Sequence, residues 1–135
     1  MRFRRFRLIA LALAALLIIA ACGDDDSGPD IEFGEGEIPS TLPDDIPIPG
    51  NARIGTSLID RVNNRTEVSL NVPADLAATV RFFQVGLVNQ GYVVDRSTGD
   101  TFTWTLEFSR GEMVGSVVVN GQGNSALAVI SVNAS

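Results

Sequence analysis

Thr101-Phe102-Thr103-Trp104-Thr105-Leu106-Glu107-Phe108-Ser109 alternates polar and apolar residues without a break. Successive side chains of a β-strand point to opposite faces, so Phe102, Trp104, Leu106 and Phe108 fall on one side and Thr101, Thr103, Thr105 and Glu107 on the other. Such a strand has one face to bury and one to show to water, which suits an antiparallel sheet. Its neighbours extend the pattern: Tyr92 to Asp95, Met113 to Asn120 and Ala126 to Val132 read as strands, the last three segments of the chain being separated by Arg110-Gly111 and Gly121-Gln122-Gly123-Asn124. Upstream, Ala52, Ile54 and Leu58 share one face of a strand over Ala52 to Ile59, and Val68, Leu70 and Val72 one face of Thr66 to Val72. Asn63-Asn64 lies between them, and asparagine tolerates the positive φ that a tight hairpin needs.

Between the two groups of strands the period changes. Leu76, Val80, Phe83 and Leu87 recur at intervals of four, three and four, which predicts a helix over Pro73 to Gln90. Pro73 suits the first helical position, Asp75 complements the positive end of the dipole, and Gly91 supplies the stop. Gly86 inside the helix costs about 1 kcal/mol relative to alanine, and is read as room for the sheet to come close. The expected fold is α+β in two layers, one helix packed on an antiparallel sheet in the order ββαββββ, over residues 46–135. A domain of that size buries roughly 60 to 65% of its unfolded surface, enough for a single core.

The N-terminal part is of a different kind. Met1 to Arg7 holds four arginines and no acid, and Leu8 to Ala21 is fourteen residues without a polar side chain. That length fits a signal-peptide core of about 7 to 15 residues and is short of the ~20 that span a bilayer. The run Ile19-Ala20-Ala21-Cys22 resembles a bacterial lipobox, with isoleucine where leucine is more usual. That resemblance implies that residues 1–21 are a cleaved lipoprotein signal peptide and that Cys22, the only cysteine, is expected to carry a diacylglyceryl and palmitate-type anchor. An unpaired thiol in an oxidising compartment is otherwise a liability. Residues 22–45 are rich in Gly, Asp, Glu, Ser and Pro with no apolar period, and are expected to form a disordered tether of roughly 25 Å root-mean-square reach. Asp24-Asp25-Asp26 lacks the alternating ligands and closing glutamate of a calcium loop, so no metal site is assigned. Leu42-Pro43-Asp44-Asp45-Ile46-Pro47-Ile48-Pro49-Gly50 reads as a stiff lead-in lying along the domain.

Charge and composition narrow the chemistry. Beyond residue 21 there are six arginines against sixteen acids, a net charge of −10, and nine of those acids precede Ile46. That balance excludes nucleic acid as a partner. The chain has neither histidine nor lysine, which removes the usual bases, metal ligands and Schiff-base amines. Asp60, Asp95, Asp100, Glu107 and Glu112 lie near strand ends and turns, where carboxylates are ordinarily solvated, and no catalytic residue and no cofactor is assigned.

From Leu42 to the C-terminus the chain resembles small uncharacterised bacterial lipoproteins. They have a proline-glycine lead-in followed by a helix with a Phe-Tyr pair, then a glycine and an aromatic. Phe82-Phe83 stands here for the pair, and Gly91-Tyr92 for the glycine and aromatic. The resemblance implies the anchor and the fold and brings over no catalytic residue. The expected function is that of a lipid-anchored envelope protein, at the cell membrane or outer membrane, presenting a noncatalytic binding domain to an envelope protein. Phe82, about 100° from the helix stripe, and Tyr92 form the expected contact patch, with Trp104 in the core. A carrier of a small apolar or lipid ligand is the alternative, set against the small volume that one helix on one sheet is expected to enclose; a carboxylate-dependent hydrolase is the second alternative.

Overall fold

The computed structural model describes residues 28–134. The signal segment, Cys22 and Asp24-Asp25-Asp26 lie outside the described residues. Strands β1 (Ile31–Glu35), β2 (Arg53–Asp60) and β3 (Arg65–Val72) precede helix α1 (Leu76–Asn89), and β4 (Val93–Gly99), β5 (Thr103–Arg110), β6 (Met113–Gln122) and β7 (Ser125–Asn133) follow it. They form one antiparallel sheet in the order β1-β2-β3-β7-β6-β5-β4. The order follows from the helix. It carries the chain across one sheet face to the far edge, and three hairpins then bring it back until β7 pairs with β3.

The expected helix, antiparallel sheet and ββαββββ order are all present, with one strand more. β1 lies inside the segment expected to be a disordered tether. All five of its residues are exposed, so no alternation marks it; β2 offers the open backbone edge on which it pairs, from Ile31 opposite Asp60 to Glu35 opposite Thr56. The tether expectation also fails at Leu42, which is buried in the core with Val68, Leu70, Phe83, Leu87, Phe108 and Ile130; Ile46, the first residue expected in the domain, is buried there too.

Helix α1 packs on β4, β5, β6 and β7. The neighbouring half of the same face is covered by residues 39–49, tied to β3 by a 2.6 Å hydrogen bond between the hydroxyls of Thr41 and Thr66. Among the described residues, no helix or lead-in packs on the opposite sheet face, the open face.

Four local expectations are corrected. Asp75, not Pro73, marks the start of the helix: it is the N-cap and accepts from the Ala78 N–H at 2.8 Å. Gly86 makes room for the lead-in rather than the sheet, since a Cβ there would come within 2.8 Å of Pro47 Cβ. A register shift between Ile54 and Ser57 turns the second half of β2 over, so Ile59 is buried and Leu58 joins the open face. Phe102 precedes β5 instead of sharing its core face. The helix ends as expected at Gly91, where φ is 86° and the N–H groups of Gly91 and Tyr92 donate to the carbonyls of Val88 and Leu87.

Candidate functional site

Where the first turns of α1 meet the start of β5, an open groove of about 750 Å3 is lined by Leu76, Val80, Arg81, Gln84, Phe102 and Trp104, with Asp75 and Asp100 at its ends. Local sequence builds each wall. Leu76, Val80 and Gln84 follow one another at helical spacing. On the other side, one carboxylate oxygen of Asp100 accepts from the N–H groups of both Phe102 and Thr103 at 2.8 Å. That turn pulls Phe102 out of the strand's alternation and leaves it 74% exposed. The two N–H bonds, that of Thr103 foremost, also hold the Asp100 carboxyl below its ordinary value.

Trp104 is held by its indole nitrogen. Its indole N–H donates to Ser97 Oγ at 2.9 Å, and Gln84 Nε2 donates to the same hydroxyl at 2.6 Å. Both carboxylates at the groove ends are engaged with backbone N–H groups, Asp75 with Ala78 and Asp100 with the β5 start. The groove therefore offers a hydrogen-bonded aromatic, an exposed aromatic, two aliphatic side chains and one cation, Arg81. It suits a ligand with an apolar body. The groove is open to solvent, not enclosed between helix and sheet.

The expected Phe82 and Tyr92 patch is not assembled. Phe82 is 39% exposed and meets Phe83 edge-to-face at 5.3 Å between centroids. Tyr92 is only 3% exposed. Its ring packs edge-to-face on Phe108 and lies 4.1 Å beneath the Arg110 guanidinium, while its hydroxyl donates to Asp45. Burial, then the facing Asp45 carboxylate, pushes the Tyr92 hydroxyl up to about 12. Asp45 is held below its ordinary value by Arg110 first and by Tyr92 second. Arg110 also donates to the Gln90 carbonyl at 3.2 Å. Tyr92 thus clamps the lead-in to the C-terminal end of α1 and offers no surface to a partner.

The other acids weighed in the sequence are spread over the surface. Asp60 accepts from the backbone and side-chain N–H groups of Asn63, which lower its carboxyl. Asp95 and Glu107 share a shallow hollow of about 360 Å3 on the open face, and both are exposed, with Glu107 3.5 Å from Arg96. The groove residues that sequence reasoning placed in the core, Phe102 above all, carried one readable signal: Asp100 two positions ahead, where an aspartate side chain favours a turn onto its own backbone.

No family model matches this chain, and neither a curated protein nor a solved structure matches it significantly.

Proposed function

We propose that the chain is a lipid-anchored cell-envelope protein, fastened through Cys22, whose noncatalytic domain binds its partner through the groove between α1 and β5. The observation that carries the groove is Phe102, 74% exposed beside the hydrogen-bonded Trp104 over a volume of about 750 Å3. A large apolar side chain held out by its own turn gains nothing for the fold and is the usual centre of a binding contact. The anchor is supported by the run from Ile19 to Cys22 behind its arginine-led apolar segment.

A second reading is a carrier of a small apolar or lipid ligand. The groove volume favours it, falling within the roughly 300 to 1,000 Å3 of small-molecule sites. Both readings pass through the same side chains. In solution, an anilinonaphthalene dye should bind and perturb Trp104 emission, and Phe102→Ser should weaken that binding about fivefold, the loss of roughly 1 kcal/mol. Unchanged affinity would remove the groove from the proposal. For the anchor, Cys22→Ala should abolish fatty-acid labelling in the producing cell, and persistence of the label would sink it.

A further inference from the structure

The two ends of the sheet differ in what they expose. At the end where β1 begins, one register row crosses all seven strands on the open face: Ile31, Asp60, Arg65, Asn133, Val114, Ser109 and Val93. Ile31, Val114 and Val93 in that row are exposed, and so are Val62 in the adjoining β2–β3 turn and Phe33 two residues along β1, the last at 80%. The row's charges are spent locally. Asp60 holds Asn63, Arg65 pairs with Glu67, and Arg61 in the turn pairs with Glu32 at 3.1 Å.

This end is also where the chain arrives from Cys22. Five residues lie between Cys22 and Gly28, and the six Cα–Cα steps from one to the other span at most about 21 Å in any conformation. Two further hydrogen bonds pin the arriving chain to the turn, from Arg61 Nη1 to the Pro29 carbonyl and from the Arg61 N–H to the Asp30 carbonyl. A lipid on Cys22 therefore holds the apolar row within a few nanometres of headgroups at high effective concentration. Trp104 stands five residues away along the strands, about 17 Å, and on the opposite sheet face.

We infer that this end of the sheet, through Val62, Ile31 and Phe33, rests on a zwitterionic lipid surface, and that the α1–β5 groove is thereby held facing away from the bilayer. The inference rests on lipidation at Cys22. Zwitterionic headgroups are specified because Asp24, Asp25, Asp26 and Asp30 precede β1 and repel anionic ones.

The test uses residues 22–135, which contain every described element, with Cys22 coupled chemically to a maleimide lipid in phosphatidylcholine vesicles. Brominated acyl chains serve as the quencher. In the native chain, Trp104 is the sole tryptophan, and its emission should be unchanged by bromination. In a Trp104→Phe background, Val62→Trp and, separately, Phe33→Trp should be quenched about twofold or more, as expected for side chains within the headgroup and upper acyl region. The inference is overturned if both introduced tryptophans are unquenched, or if Trp104 is quenched as strongly as they are. It is also overturned if their emission in the uncoupled protein changes on dilution, since the row would then be covered by a second copy. Because the lipid is attached chemically, failure of Cys22 labelling in cells would defeat the anchor and leave this result standing.

Discussion

Helix α1 and the lead-in over residues 39–49 cover neighbouring halves of one sheet face by different means. The helix satisfies its own backbone, caps itself with Asp75 and Gly91, and presents Val80, Phe83 and Leu87 as one stripe. The lead-in has no regular structure. It buries Leu42 and Ile46 and ties its backbone into short turns, with N–H groups of Leu42, Ile46 and Ala52 donating to the carbonyls of Pro39, Pro43 and Pro49. Prolines remove donors that would otherwise need partners, so an irregular chain can lie on a core without unsatisfied N–H groups. The difference teaches that the second layer of a small domain is defined by what it buries rather than by its secondary structure.

If both segments are true core layers, cutting into either should cost stability. The largest loss is expected for Phe83→Ala, at about 3 to 5 kcal/mol in urea unfolding, because the side chain is fully buried. Leu42→Ala should cost about 2 to 3 kcal/mol, less because an irregular segment collapses more readily into a cavity. A loss below about 1 kcal/mol would demote the lead-in from layer to ornament.

Gly86→Ala sharpens the contact between the two. In an exposed helix the change would gain about 1 kcal/mol, but here the new methyl would meet Pro47 Cβ at 2.8 Å. No increase in melting temperature is expected, and a clear gain would mean that the lead-in does not press on α1.

The smallest effects concern the clamp of Asp45, Tyr92 and Arg110. The Asp45 carboxyl is lower in the folded state than its ordinary 3.8, so its contribution is present above that pH and is lost as pH falls through the folded value. The Tyr92 hydroxyl is raised from 10.0 to about 12, so its contribution is present below pH 10 and is lost as pH climbs toward 12. Asp45→Asn should flatten the acid limb of a melting-temperature profile and Tyr92→Phe the alkaline limb, each relative to the native chain. Parallel profiles would show that the clamp does not hold the lead-in.

Legibility in the sequence follows the same divide. The stripe of α1 and the alternation of β3, β5, β6 and β7 were readable because each element has one wet and one dry side. β1 was not, since Ile31 to Glu35 is exposed throughout and its strand conformation comes from the free edge of β2. Leu42 and Ile46 follow no period that would mark them, and Leu58 changes faces through a bulge whose one signal in the sequence is Gly55, between Ile54 and Ser57. The groove was half legible: Trp104 and the helix stripe were placed correctly on the covered side, but Phe102 was assigned to the core because alternation was carried one step past the turn made by Asp100. Tyr92 reads as a surface aromatic in the sequence because the acceptor of its hydroxyl, Asp45, lies 47 positions earlier in the chain.

The groove and the apolar row at the opposite sheet end can be tested together in intact cells. A photoreactive benzoylphenylalanine at position 102 should capture a protein or small ligand, and Leu76→Ser should abolish that capture; the same probe at position 62 should capture lipid. No capture at position 102, or capture there that persists in Leu76→Ser, would contradict a groove that binds the partner.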